Sequence, residues 1–340
     1  MKRIICNAVA ASVLGVAAIA AAPATAQVAG VPLEMEPNTC ERACLEAAVE
    51  TYVQAMVDGD ADNAIFAPYV RFTENGVQMP FGNEGLWATA SGTEGYRLIV
   101  PDVVTGNVAA LLTVQETAGS SATGPGLPSD PVGISLRLRV NRDGKISEVE
   151  QIVARPDRPL GGGEAAAGPF GATGASVEAL GSPWEGYLEA VPEGERHTRA
   201  ELVEMANAYF EAVEKNTGND YYPFTDDCLR LENGFPTAGP EGSGAQAGCT
   251  EQLQTTLIGA VTSIRDRRIV AVDIERGVVF AFAFFDHRPI NWTWQLGELF
   301  KVENGDISRI EAIFIRGPYG VCSGWSTYEQ CRSEEPVDVR

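Results

Sequence analysis

Ile146 to Arg155 reads Ile-Ser-Glu-Val-Glu-Gln-Ile-Val-Ala-Arg, and Ile307 to Arg316 reads Ile-Ser-Arg-Ile-Glu-Ala-Ile-Phe-Ile-Arg, the same pattern 161 residues further on. Each copy follows a glycine turn, Asn141-Arg142-Asp143-Gly144 in one case and Val302-Glu303-Asn304-Gly305 in the other, and each turn follows an apolar run. Two extended runs joined by such a turn form a β-hairpin, so each copy closes a unit. Upstream the chain repeats twice more. Tyr52-Val53-Gln54-Ala55-Met56-Val57 matches Tyr209-Phe210-Glu211-Ala212-Val213, and Arg71-Phe72-Thr73-Glu74-Asn75-Gly76 matches Arg230-Leu231-Glu232-Asn233-Gly234. Three landmarks in one order at a nearly constant offset indicate a duplicated domain.

Outside the repeats, residues 1–26 combine Lys2 and Arg3 with an apolar run from Val9 to Ala22 and end in Ala24-Thr25-Ala26. That is the pattern of a secretory signal peptide, too short to span a bilayer, and Cys6 lies ahead of the apolar run instead of at the cut. The expectation is an exported protein, periplasmic or secreted, with no membrane insertion after cleavage. The segment holds two cations and no acid, so cleavage takes the formal charge from −21 to −23. Such a field repels phosphate backbones, which argues against nucleic acid as a partner.

Seven cysteines include Cys6; the other six form an even set in an oxidising compartment, where pairing is the default. Six cysteines allow fifteen connectivities, and local closure favours Cys228 with Cys249, Cys322 with Cys331, and Cys40 with Cys44. A loop of about 20 residues closed in this way contributes roughly 3 kcal/mol in the chain-entropy model. With two histidines, His197 and His287, and no CxxC, no metal site is expected, and nothing in the chain calls for a cofactor.

Leu45, Ala48, Val49, Tyr52, Val53 and Met56 recur at helical spacing, and Asp58-Gly59-Asp60 ends that helix. A short second helix is expected from Asp62 to Phe66, then strands at Val70–Glu74, Leu86–Ser91, Val108–Glu116, Val132–Val140 and Ile146–Arg155. Thr117 to Pro131, rich in Gly, Ser and Pro, reads as a mobile hairpin insertion. A Gly/Ala-rich linker follows, whose second half carries Trp184, Tyr187 and Leu188 and is therefore expected to pack on a domain. From Thr198 the pattern restarts: a helix with Leu202, Met205, Ala206, Tyr209, Phe210 and Val213, then Cys228–Glu232, a helical stretch Glu251–Val261, and strands at Ile269–Glu275, Val278–Phe285, Trp292–Val302 and Ile307–Arg316. The domain plan is 1–26 signal peptide, 38–156 first domain, 157–197 linker, 198–320 second domain and 321–340 tail. Helices followed by antiparallel strands give an α+β class: two tandem cone-shaped domains, each with helices packed on a curved antiparallel sheet.

The order of elements, the Glu-Asn-Gly after the first strand and the closing Gly-x-Ile-Ser-x-Val/Ile-Glu-x-Ile resemble the nuclear-transport-factor-2-like, or SnoaL-like, superfamily in two tandem copies. Cys40-Glu-Arg-Ala-Cys44-Leu, Gly85-Leu-Trp87-Ala-Thr-Ala-Ser-Gly92 and Cys228-Leu-Arg-Leu-Glu-Asn-Gly234 are similar to a group of exported bacterial and fungal proteins classed as a domain of unknown function. The resemblance covers most of residues 40–320 and implies an apolar cavity under a helical lid, the setting in which enzymes of that fold perform cofactor-free proton transfer. Its ketosteroid isomerase pattern, an Asp base with a Tyr and a protonated Asp as donors, does not map onto this chain residue by residue.

From the residues themselves, the candidate catalytic groups are His287 with Asp286, an imidazole beside a carboxylate, and Tyr209; the competing reading of Asp286-His287-Arg288-Pro289 is a polar turn. Candidate ligand-binding residues are Tyr52, Trp87, Arg137, Tyr222, Arg230, Trp292 and Trp294, where Tyr52 also reads as a packing aromatic, Arg137 and Arg139 as solvated, and Tyr221-Tyr222-Pro223-Phe224 as a hydrophobic loop. Glu150 and Glu311, identically placed in the closing strands, point to a role in the fold. Three functions stay open: an exported binding protein for a small apolar or aromatic molecule; a cofactor-independent lyase, dehydratase or isomerase; and an assembly module, acting as a monomer with intramolecular domain pairing or as a homodimer.

Overall fold

A computed structural model describes residues 40–117, 130–156, 168–171, 173–326 and 331–340. The expected signal peptide 1–26, nearly all of the expected 117–131 insertion and the first part of the expected linker lie outside the described residues. Residues Pro37–Arg340 form one compact unit.

The first half runs α1 (Arg42–Asp58), β1 (Phe66–Glu74), β2 (Val77–Gln78), β3 (Ala90–Gly92), β4 (Arg97–Asp102), β5 (Asn107–Glu116), β6 (Asp130–Val140) and β7 (Ile146–Ala154). A short α2 (Thr173–Glu178) follows. The second half runs α3 (Arg199–Glu214), β8 (Phe224–Glu232), β9 (Phe235–Ala238), α4 (Cys249–Thr255), β10 (Ser263–Asp273), β11 (Val278–His287), β12 (Trp292–Glu303), β13 (Asp306–Pro318) and β14 (Val337–Asp338). One seven-stranded sheet has the order β2-β1-β7-β6-β5, with β3 and β4 both pairing β5; the other has the order β9-β8-β13-β12-β11-β10-β14. The two halves are therefore copies in topology as well as in sequence.

The sheets are mixed, which corrects the expected antiparallel ones. β1 runs parallel to β7 and β8 runs parallel to β13, with Phe66 opposite Ile146 and Phe224 opposite Ile307. A long excursion separates the members of each pair, which is what a parallel pairing needs. The first Glu-Asn-Gly serves this junction. Asn75 and Asn233 sit at φ 52° and 49°, followed by Gly76 and Gly234 at 79° and 81°, the two left-handed positions of a tight hairpin turn. Each Asn side chain then extends the parallel ladder: Asn75 Oδ1 accepts from Val153 N–H at 2.7 Å, and Asn233 accepts from Phe314 N–H at 2.9 Å while donating to Phe314 O at 3.0 Å.

Three local expectations change. Asp62–Phe66 is not a helix but a turn that leads into β1 at Phe66, because Asn63 Oδ1 accepts from Ile65 N–H at 3.1 Å, a side-chain bond that competes with helix. Leu86–Ser91 is a 3-10 turn (Gly85–Ala88) ahead of the short β3, because the Glu74 carboxylate accepts from Leu86 N–H at 2.8 Å and Gly85 takes φ +61°. β4 was not anticipated. The helical stretch expected at Glu251–Val261 shortens to α4 and a run of turns. The three disulfides join the expected partners, Cys40–Cys44, Cys228–Cys249 and Cys322–Cys331, and are compatible with an oxidising, extracellular environment.

Each sheet carries its long helix on one face, α1 over Val49, Tyr52, Val53 and Met56 and α3 over Leu202, Ala206, Tyr209, Phe210 and Val213. α3 starts on a capping box in which Thr198 and Glu201 bond reciprocally. The other faces meet, burying Leu98, Val100, Leu111, Ile152, Val270, Phe280, Phe282 and Ile313 in one shared core. Following the ladders, Ser135 opposite Leu111 corresponds to Gly297 opposite Phe282. These two equivalent residues touch: Ser135 Oγ lies 3.4 Å from Gly297 O and donates to Ile313 O at 2.9 Å. A local twofold relation between the halves thus passes between them. Beside it, Glu150 receives a bidentate pair from Arg268 at 2.7 and 2.8 Å, whereas its counterpart Glu311 accepts from the Tyr96 hydroxyl at 2.7 Å. The second half of the linker packs as expected, with Tyr187 buried in the same core and Trp184 under Arg309. The tail crosses both sheets, Trp325 Nε1 donating to Thr73 Oγ1 at 2.7 Å and β14 pairing with β10.

Candidate functional site

The helix-covered faces of the two sheets began alike and now differ. In the first, the Tyr52 hydroxyl donates to Gln151 Oε1 at 2.8 Å and accepts from Trp87 Nε1 at 3.1 Å; Gln151 Nε2 donates to Glu74 at 3.0 Å, and Glu74 also accepts from Arg155 at 3.1 Å. Phe66, Phe72, Phe81 and Trp87 fill the space around this network edge to face. Tyr52 and Trp87 are closed-in core residues whose polar atoms satisfy one another, and burial holds the Tyr52 phenol far above its ordinary pKa.

In the second domain Gln151 is replaced by Ala312, and the polar partner moves across the ladder to Glu298, which faces Ala312 on β12. The Tyr209 hydroxyl donates to Glu298 Oε1 at 2.9 Å. Arg230, at the end of β8, donates to Gln252 Oε1 at 3.1 Å and pairs with Glu232 at 2.6 Å, while its Nε stands 4.0 Å from Glu298 Oε1. Arg230, Glu232 and Gln252 line a cleft of about 420 Å³ between the sheet, α3 and α4, with Val213, Leu257, Val261, Phe285 and Trp294 as its apolar walls. That volume suits a small organic molecule. Burial pushes the Glu298 carboxyl up to about 7, against the pull of Arg230 and the Tyr209 hydrogen bond.

His287 stands beside the cleft, its ring 4.1 Å from that of Trp294. Its Nδ1 is 2.8 Å from Ala260 O. A carbonyl only accepts, so Nδ1 carries the proton and Nε2 presents a lone pair. Burial lowers the pKa of this imidazole, outweighing the Ala260 carbonyl and the Asp286 and Glu232 charges that raise it, so the ring is neutral at neutral pH.

The expected His287–Asp286 pair does not form. Adjacent strand residues point to opposite faces, and Asp286 faces the sheet-to-sheet side, held by Arg265 at 2.9 and 3.1 Å and by Thr293 at 2.6 Å. Tyr209 reaches the cleft only through Glu298 and Arg230. Arg137 lies in neither cleft nor solvent: it is buried at the inter-sheet face, bonded to Glu148 and Glu150 at 2.8 and 3.3 Å, with Trp325 against its guanidinium. The Tyr222 hydroxyl donates to Asn216 at 2.7 Å, away from the cleft. Trp292 lines a different groove of about 740 Å³ with Arg155, Arg316 and Phe170. Of the expected residues the structure therefore brings Arg230, Trp294 and His287 together and leaves Tyr52, Trp87, Arg137, Tyr222 and Trp292 outside. Glu298, Glu232 and Gln252 were missed. For Glu298 a signal existed: Trp294, Leu296, Glu298 and Phe300 alternate onto one face of β12, and a carboxylate in that apolar row needs a reason.

The architecture defines an α+β protein of two tandem domains. The chain belongs to the family described as a domain of unknown function, DUF8021, whose model matches it twice, at residues 38–153 and 195–314. No curated protein matches the chain.

Proposed function

We propose that this is an exported small-molecule-binding protein whose ligand occupies the second-domain cleft, while the first domain serves as its packing partner. One observation carries this reading. Arg230 and Trp294 line this cleft with their Nε and Nε1 atoms buried without a hydrogen-bond partner, as are Nε2 of His287, which stacks on Trp294, and Oε2 of Glu298, which lies behind Arg230, whereas the Tyr52, Trp87 and Gln151 network of the first domain is satisfied. Leaving a buried polar group unpaired costs about 1–3 kcal/mol each, a cost that a ligand supplying the missing partners removes. The finer reading places both domains among the SnoaL-like cones, whose lidded cavity the cleft resembles. Native mass spectrometry of the protein from its producing cells, with ligand-observed NMR against a fragment set, tests it. Binding that is lost in Trp294→Ala and retained in Trp87→Phe supports the proposal, and binding untouched by Trp294→Ala overturns it.

A second reading, a cofactor-free lyase or isomerase, draws on Glu298 at about 7 and on the neutral imidazole of His287, two groups suited to proton transfer near neutral pH. It requires that His287→Ala and Glu298→Gln each abolish turnover with the thermal midpoint nearly unchanged. The assembly reading has less support, because the inner sheet faces already cover one another within one chain.

A further inference from the structure

We propose that the C-terminal segment, residues 319–326 and 331–340, is a redox-sensitive strap: its Cys322–Cys331 disulfide steadies the ladder that carries one wall of the second-domain cleft, and reduction of that disulfide loosens the wall. The coupling is read without any ligand; only its consequence for affinity rests on the binding reading above. The contact begins at Arg265, 1% exposed. Its guanidinium takes Asp286 at 2.9 and 3.1 Å, and it also donates to Cys331 O at 3.0 Å and Val321 O at 2.8 Å. The disulfide therefore holds in place two carbonyls, that of Cys331 and that of the residue before Cys322, around one buried cation.

Asp286 and Thr293 are partners in the ladder of β11 and β12. Thr293 Oγ1 donates to Asp286 at 2.6 Å and accepts from Gly320 N–H of the strap at 2.9 Å. The neighbouring ladder pair, Phe285 and Trp294, points to the opposite face and lines the cleft together with Val261. Asp286 O also fixes the loop beside Val261, accepting from the Thr262 backbone and hydroxyl at 2.8 Å each. One pair of strands thus has the strap on one face and the cleft wall on the other. A second clamp lies next to Arg265, where Asp266 accepts from the Ser323 hydroxyl at 2.8 Å and its own N–H donates to Ser333 O at 2.8 Å.

Cys331 stands at φ 53°, a left-handed conformation that is unfavourable for a residue with a Cβ and that the covalent closure helps to keep. Cys322 is partly exposed, whereas Cys228 and Cys249 are both buried. A low-molecular-weight thiol such as glutathione attacks as its thiolate at Cys322 Sγ, forms a mixed disulfide there and expels Cys331, which takes up a proton; a second thiol then displaces Cys322 as a thiol and leaves as the oxidised dimer. Two external thiols become one disulfide, and the protein disulfide becomes two thiols. The strap carbonyls are then no longer fixed around Arg265, and a buried guanidinium short of acceptors favours rearrangement.

The test is hydrogen–deuterium exchange of the full chain, read by mass spectrometry on the oxidised protein, on protein titrated with reduced glutathione, and on Cys322→Ser/Cys331→Ser, with Cys40→Ser/Cys44→Ser for comparison. Cysteine labelling of the same samples reports which disulfide has opened. The expected result is that exchange over residues 262–266 and 284–294 quickens at least tenfold once Cys322 and Cys331 label, and equally in Cys322→Ser/Cys331→Ser, while β5 and β6 exchange as before, the pattern of a local opening. In Cys40→Ser/Cys44→Ser the cleft wall exchanges as in the oxidised protein. Thr293→Val, which removes the hydroxyl between strap and ladder and leaves the disulfide intact, quickens the same residues. Unchanged exchange at 284–294 after Cys322 and Cys331 have opened overturns the proposal. So does opening of Cys322 and Cys331 only together with Cys228 and Cys249 in global unfolding, or a Cys322→Ser/Cys331→Ser chain that does not fold, since either marks the disulfide as a staple of the fold. None of these outcomes touches the binding reading, which fails on the absence of a ligand.

Discussion

Glu311 and Glu298 are two carboxyls that burial holds near neutrality, each pushed up to about 7. Glu311 sits at the seam of the two sheets and accepts from the Tyr96 hydroxyl, and burial raises its pKa more than the neighbouring tyrosine hydroxyls lower it. The native state keeps the proton on Glu311 between the ordinary value of 4.5 and about 7, where the unfolded chain has lost it. The stability this provides is complete below 4.5 and declines as pH rises through 7. Glu311→Gln is accordingly expected to flatten the fall in unfolding free energy between pH 5 and 7, a difference of up to about 3 kcal/mol at this shift. Denaturant titrations at pH 5 and 8 check it, and an unchanged pH slope in the variant contradicts the assignment. At this scale the sequence was only partly legible. Arg230, Trp294 and His287 are residue types that announce themselves, whereas the separation of Asp286 from His287 depends on strand alternation, and the importance of Glu298 depends on which face β12 turns toward α3. Arg137 looked like a surface or ligand residue because its partner Glu150 lies on another strand and the second sheet that buries both is more than a hundred residues away.

Among the elements, the first strand of each half shows what a short motif does. Asn75 and Asn233 each place the backbone in the left-handed region and bond side chain to main chain across the parallel ladder. Replacing Asn233 by Ala removes its side-chain bonds at about 1 kcal/mol each and adds about 1–2 kcal/mol for a left-handed residue without that support. A loss of roughly 2–4 kcal/mol by chemical denaturation is expected for Asn233→Ala, and Asn233→Gly, which keeps only the backbone freedom, is expected to lose less. The hairpins were readable because their periodicity and Gly turns are local. β4 and the parallel pairings were not, since nothing in a strand's own sequence states which neighbour it takes.

For the whole molecule, the decisive contact is where the sheets meet. A Cβ built on Gly297 would lie 2.6 Å from Ser135 Cβ and 2.9 Å from Phe282 Cε1, so Gly297→Ala is expected to cost about 1–3 kcal/mol through overpacking. Adding Ser135→Gly is expected to recover part of that loss, and a double-mutant cycle on thermal unfolding measures the coupling. Because Phe280, Phe282, Val270 and Ile313 of the second half pack in a core completed by the first half, the linker and the tail, residues 195–320 expressed alone are expected to self-associate in sedimentation experiments. An isolated, stable monomer would contradict a shared core. The duplication itself was plain in the sequence; that its copies close on one another required the three-dimensional arrangement.

The touch between Ser135 and Gly297 has an evolutionary reading. In an assembly of two identical subunits, any side chain on the symmetry axis must face its own duplicate, so whatever it is has to tolerate itself. Joining both copies in a single polypeptide lifts that restriction: one gene position can become serine and its twin glycine, and the carboxylate at 150 can acquire an arginine while the one at 311 acquires tyrosines. Divergence then let the polar network under one helix close on its own partners and left the other with unpartnered groups at and behind a cleft.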